Sequence, residues 1–477
     1  MGFNDREGDP LFTSSRRTLL SVSAAALAVP PLIAVSAVDS DGPGRRGPGR
    51  PATPQHPERE LREALREIDP RRIEASVRRL AAFGTRHTLS SQDDPVRGIG
   101  AARDWIHAQF QTYAAASGGR MTAELQSYVQ QPVPNRIPVA TTITNVMATL
   151  RGDSAPNRTY VVSGHYDSRV TSLLDFTSDA PGANDDASGV AAVLELARVM
   201  ATRRTAATLV FVAVAGEEQG LFGSTFLAQQ MKAAGVDVQG MFSNDIIGSS
   251  SAFDGTRPDP RTVRLFVEGV PTAETASQAA LRRSIGGEND GPSRQLARFV
   301  RDVAENDHTG MTVRTIWRRD RFLRGSDHIP FLQQGYPAGR FTEPRENFAH
   351  QHQNTRIENG VQFGDLVEFC DFDYIARVAK VNLATLWSLA RGPGTPVNVR
   401  IDASGLTNMT TLTWTTGVDA ARYEVLWRET TAPEWTHVIE VEGMNSATID
   451  LSKDNVMFGV RAVDSQGRCS PVAFPTV

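Results

Sequence analysis

The chain has only two cysteines in 477 residues, Cys370 and Cys469. They are too few and too far apart for a disulfide framework or a cysteine-held zinc, and they read as free or buried thiols. Any metal must therefore be held by histidines and carboxylates. Positive charge is not concentrated either: the net charge is -4 and there is no long basic run, which excludes nucleic acid as a partner. After residue 37 no apolar run is long enough to span a bilayer, so no stable membrane span is expected in the mature chain. What remains is ordinary globular composition, 40% hydrophobic and 22% charged, in a chain long enough for more than one domain.

Residues 1–37 read as an export signal. Arg16-Arg17 precedes an alanine-rich apolar stretch that ends in the small residues Val35-Ser36-Ala37, the pattern of a twin-arginine route, and a periplasmic or extracellular destination is expected. Residues 38–60 are rich in Pro, Gly and Arg and are expected to be a disordered linker. Residues 61–391 form the expected main domain. Beyond Arg391-Gly-Pro-Gly-Thr-Pro396, short alternating strands separated by turn residues predict a β-sandwich over 392–477.

Within the main domain, strand and helix patterns alternate. Tyr160–Ser163 is a short apolar run, Ala187–Met200 has helical spacing, Thr208–Val214 is continuously apolar, Leu221–Ala233 is helical again, and Gly240–Ile247 reads as a strand. This alternation predicts an α/β domain with a mostly parallel central sheet flanked by helices. Ligands of such sheets bind beyond the carboxyl ends of the strands, which is where the polar clusters fall.

Four clusters carry chemistry. In Gly164-His165-Tyr166-Asp167, a histidine ends a strand and Asp167 is placed to bond its second ring nitrogen. Gly182-Ala-Asn-Asp185-Asp186-Ala-Ser-Gly189 sets adjacent carboxylates between glycines ahead of a helix, which suits a ligand bridging two ions. Glu217-Glu218 follows the most apolar strand, so one side chain can hold a metal while the other acts as general base. Asp245 is a carboxylate in an apolar strand, costly unless paired or metal-bound. Further on, Ser326-Asp327-His328 and His350-Gln351-His352 contribute more motif histidines, four of the nine in the chain lying in such clusters.

Taken together and in order, these motifs resemble the zinc exopeptidase family of bacterial leucyl aminopeptidases, glutamate carboxypeptidases and glutaminyl cyclases, over roughly Asp69 to Ala390. The resemblance implies two zinc ions per chain, with Asp185 bridging, His165 and Asp245 completing one ion, and Glu218 and His350 the other. It assigns Glu217 as general base and places Asp327 beside the site. The family's usual residues after the last ligand are replaced here by Gln351-His352-Gln353-Asn354, which leaves His352 as an alternative ligand. The function implied is peptide hydrolysis from the amino end. The alternatives are a one-zinc glutaminyl cyclase-type aminoacyltransferase and a carboxypeptidase. In the last 80 or so residues, Trp414, Tyr423–Trp427 and Gly459–Val463 resemble a fibronectin type III domain.

Overall fold

The computed structural model describes residues 47–251, 256–417, 419–442 and 445–477. The expected export signal lies outside the described residues. From residue 47 on, the chain belongs to one compact unit.

An eight-stranded sheet organises the main domain. Its strands are β1 (Met121–Gln130), β2 (Thr141–Leu150), β3 (Ala155–His165), β4 (Ala207–Val214), β5 (Asp237–Asn244), β6 (Thr262–Val267), β7 (Thr312–Ile316) and β8 (Ala338–Thr342), in the spatial order β1-β2-β4-β3-β5-β8-β6-β7. The central four, β4-β3-β5-β8, run parallel. Strands β1 and β2 pair antiparallel on one flank, and β6 runs antiparallel to β8 on the other, so the sheet is mixed. Strand β5 ends at Asn244, which places Asp245 just beyond its carboxyl end rather than inside it.

The continuous apolar run of β4 reflects burial on both faces. Leu209, Phe211 and Ala213 enter a large core with the helices Pro70–Ala81, Ile99–Ala116, Ser188–Ala201 and Phe372–Arg391. Val210, Val212 and Val214 face the opposite core, closed by Phe222–Ala233 and His328–Gln333 through Leu227, Met231 and Phe331. Each fully buried valine or leucine contributes about 1.5–3 kcal/mol, so these alternating contacts hold the strand ends rigidly in place. Gly164 and Gly189 bring β3 against the helix that follows Asp185: a Cβ on Gly164 would lie 2.6 Å from the backbone of Gly189.

The C-terminal segment is an all-β sandwich with its own core, including Leu412, Trp414, Tyr423, Val425 and Phe458. One sheet is Val397–Ile401, Thr410–Thr415 and Ser446–Ile449. The other is His437–Glu442, Arg422–Glu429 and Val456–Val463. One expectation is corrected here. The described part of the expected disordered linker is ordered: Arg50–Pro51 adds to the edge strand at Val438 and His437, and Gln55 hydrogen-bonds Asp302 and the Cys469 amide. The sandwich is also tied to the main domain by polar contacts. Asp290 of the main domain receives Arg428 of the sandwich at 2.6 Å, Trp435 donates to Gln295 at 3.0 Å, and Arg158 donates to the Gly392 carbonyl at 2.7 Å. Composition does not report the polar contacts that close over the Pro/Gly-rich stretch at 392–396.

Candidate metal centre

Four of the five expected ligands, together with the alternative His352, converge beyond the ends of β3, β4 and β5. One ligand atom each from His165, Asp185 and Asp245 lie within 4.8 Å of one another, and the same holds for Asp185, Glu218 and His352. Asp185 is shared: its Oδ1 is 3.0 Å from His165 Nε2 and its Oδ2 is 2.9 Å from His352 Nε2. Glu218 Oε1 lies 3.0 Å from His352 Nε2, yet it is buried and among the described residues accepts no hydrogen bond.

His350 does not join this group. Its ring stacks on Phe369 with centroids 3.7 Å apart, and its Nε2 faces the Asn347 amide at 3.3 Å. Burial away from any carboxylate pushes its pKa down to about 4. His352 instead stands at φ 54°, in the left-handed region that histidine tolerates better than most residues, and the turned backbone delivers its ring to Asp185 and Glu218. The geometry therefore brings the alternative His352, and not His350, beside Asp185 and Glu218.

The supporting contacts explain why the sequence folds this way locally. The Asp365 carboxylate accepts the backbone N–H groups of Asn184 and Asp185 at 2.9 and 2.7 Å, which presents the Asp185 side chain to both clusters. Burial pushes the Asp365 carboxyl up to about 7. The peptide between Asp185 and Asp186 is cis, and Asp186 accepts the His165 and Gly189 amides. Arg86 is wholly buried and donates to the carbonyls of Tyr166, Pro181 and Gly182, tying the His165 and Asp185 loops together.

Asp167 has a different task from the one expected. The backbone carbonyl of Asp167, at 3.1 Å, is what His165 Nδ1 meets, while the carboxylate is 3.7 Å away. That carboxylate accepts the amides of Glu217 and Glu218 at 3.2 and 3.1 Å and the Thr88 hydroxyl at 3.0 Å, so it anchors the one-turn helix Glu217–Gly220. Asp167 is a positioning residue for the glutamate pair.

Glu217 belongs to neither ligand group; its Oε2 is 3.9 Å from His165 Nε2. Burial raises its carboxyl well above the usual range, His165 opposes the rise, and Asp245 and Glu218 add to it. Asp327 is also buried, neither oxygen has a hydrogen-bond partner among the described residues, and burial pushes its carboxyl up to about 7. Two arginines that motif reading missed balance the carboxylates. Arg340, fully buried, reaches Asp245 Oδ1 at 2.8 Å. Arg169 donates to Glu218 Oε2 at 2.8 Å and to His352 Nδ1. A buried arginine within β8 was the only local hint of the first; nothing near Arg169 in the chain signals its partners.

The donor set fits divalent zinc. It offers imidazole nitrogen and carboxylate oxygen, a shared carboxylate between two clusters, and the orphaned Glu218 oxygen. Such a centre at the carboxyl ends of parallel strands defines a metallohydrolase. Residues 145–360 match Peptidase family M28. A probable zinc metalloprotease from Pyrenophora teres f. teres is 55% identical over 426 residues, covering 88% of each chain. Another probable zinc metalloprotease, from Pyricularia oryzae, is 54% identical over 435 residues, covering 90% of this chain and 86% of that one. Among solved structures, the Legionella pneumophila LapA aminopeptidase aligns at 18% identity with a TM-score of 0.49, covering 71% of this chain and 76% of that one. The chain belongs to peptidase family M28 and is a zinc metallopeptidase.

Proposed function

We infer that the protein is a two-zinc exopeptidase that removes residues from the amino end of peptides. The observation that carries this reading is Asp185, shared by two ligand clusters, beside two carboxylates, the mostly buried Glu217 and the buried Asp327, that belong to neither. His165, Asp185 and Asp245 would hold one ion; Asp185, Glu218 and His352 would hold the other. Bound zinc supplies a Lewis acid for the scissile carbonyl and lowers the pKa of the attacking water. Glu217, held by the Asp167-anchored turn, takes the proton from that water and returns it to the leaving amine. Asp327, a buried carboxyl with no hydrogen-bond partner among the described residues, supplies an acceptor for the substrate's α-ammonium.

The test compares one peptide with a free and an acetylated amino terminus while zinc content is measured. Acetylation is expected to lower kcat/KM at least about a hundredfold, or about 2.7 kcal/mol of transition-state stabilisation. Equal rates would exclude amino-end cleavage, and one zinc per chain would favour the cyclase alternative. The Arg16-Arg17 pattern supports export of the mature enzyme, checked by the amino terminus of protein recovered outside the cytoplasm. The two-sheet strand order at the C-terminus supports a fibronectin type III-like reading of that segment.

A further inference from the structure

A second cavity, of about 780 Å3, opens directly beside the metal centre, with His352 and Gln351 in its wall. Its charge is unlike that of the chain. Arg169, Arg264, Arg318, Arg321 and Arg324 line it against a single acidic lining residue, Glu346. The protein as a whole carries a net charge of -4, so this is a local concentration of positive charge and not a reflection of composition.

The partners show which of these charges are available. Arg169 is taken by Glu218. Arg264 and Arg321 share Glu346, so one carboxylate serves two guanidiniums. Arg321 also has a buried Nε without an acceptor. Arg318 and Arg324 are exposed at the mouth, and among the described residues neither forms an ion pair; Arg318 lies 4.0 Å from the centre of the Phe322 ring. Removing Glu218 and Glu346 from the balance leaves about three uncompensated positive charges in the wall of a cavity that begins at a metal-centre histidine. Arginine presents a planar fork of donors matched to a carboxylate, and a concave, partly desolvated wall strengthens that match. The arrangement differs from that of Arg86 and Arg340, whose guanidiniums are fully buried and held by loop carbonyls or by a site carboxylate.

We propose that this cavity is a substrate pocket that selects a carboxylate next to the scissile bond, making the enzyme a peptidase of acidic peptides. The proposal rests on the reading of the metal centre as a peptidase site. The carboxylate comes from a Glu or Asp side chain within the first two residues of the peptide. The other source of the same chemistry is the terminal carboxylate of a dipeptide. Phe266 and Phe348 line the same wall and accept the methylene stem of such a side chain.

The zinc-loaded full chain is tested in two ways. Kinetics are compared for peptide amides with Glu, Gln, Leu or Lys in the first or second position, and for a dipeptide as acid and as amide. Glu is expected to exceed Gln at least tenfold in kcat/KM at one position. The double variant Arg318→Glu/Arg324→Glu should abolish that ratio, or invert it towards Lys, while its zinc content stays that of the parent protein. Independently of turnover, titration calorimetry with glutarate and with butyrate reads the pocket alone. Glutarate should bind at least tenfold more tightly than butyrate, and the double variant should remove the difference. A preference confined to acid over amide dipeptides supports the pocket and names the terminal carboxylate as its ligand. Equal rates for Glu and Gln with equal glutarate and butyrate affinity overturn it, as does a preference that survives the double variant. Failure of every peptide to be hydrolysed, with the glutarate preference intact, would refute the peptidase reading and leave the anion pocket standing.

Discussion

Replacing Asp290 by alanine should loosen the whole molecule without touching the metal centre. Asp290 is buried at the junction of the main domain and the C-terminal sandwich. Its Oδ2 receives Arg428 Nη2 at 2.6 Å and its Oδ1 receives Arg298 Nη1 at 3.2 Å. Both guanidiniums are nearly inaccessible, with side chains 2% and 5% exposed. Asp290→Ala leaves two buried cations facing each other. Breaking a buried pair in this way costs about 3–5 kcal/mol. Some of that is moderated, because Arg428 Nη1 still donates to the Ala432 carbonyl at 2.8 Å and Arg298 Nε to the Pro433 carbonyl at 2.8 Å. A loss of about 3 kcal/mol is therefore expected, more than a hundredfold in the unfolding equilibrium and a large share of the roughly 5–15 kcal/mol typical of a folded domain. Asp290→Asn retains the shape and one acceptor and should lose less, about 1–3 kcal/mol. Urea unfolding followed by tryptophan fluorescence measures both; Trp435 lies at this junction, donating to Gln295. A midpoint unchanged for Asp290→Ala, or a loss below about 1 kcal/mol, would show that the junction does not contribute to stability as argued.

Cutting the chain after Gly394 should for the same reason give a poorly soluble or unstable peptidase, because it strips Asp290, Arg298 and Gln295 of their partners; a truncated protein as stable as the full chain would contradict this. His352→Ala should lose zinc, whereas His350→Ala, stacked on Phe369 outside both clusters, should retain it; metal analysis of the two proteins decides between them. Glu217→Gln should keep its zinc and lose about 10²–10⁴ in kcat, and a matching loss of metal would make Glu217 a ligand instead. Asp167→Ala should reduce kcat with less effect on zinc content at the His165 cluster, because it frees the Glu217 and Glu218 amides; unchanged kinetics would show that the turn holds without it.

How much was legible in the sequence follows from the range of each interaction. Burial on both faces writes itself into a strand as an unbroken apolar run, so Ala207–Val214 and the residues at its end were readable from the chain alone. His165, Glu217, Glu218 and Asp245 lie at or just past strand ends, and Asp185 lies in the glycine-flanked turn ahead of the helix Ser188–Ala201, so each could be picked out as a local motif. The six sandwich strands were readable for the same reason: alternation and turns are local.

Tertiary structure decided what depends on partners far apart in the chain. Two histidines two residues apart offer the same chemistry, and only the stacking of His350 on Phe369 and the turn at His352 settle which one reaches Asp185. Arg340 with Asp245 and Asp365 with Asp185 are separated by 95 and 180 residues, a distance over which no periodicity reports. Asp167 was assigned to histidine because it is near in sequence, but its carboxylate was nearer in space to two amides 50 and 51 residues on. The glycine- and proline-rich stretch before residue 60 carries too few apolar side chains to announce a strand, and it becomes one only because the edge at His437 and Val438 offers unpaired backbone groups. Local sequence determines which residues are available and which surfaces are apolar; which charge meets which is settled when the chain closes on itself.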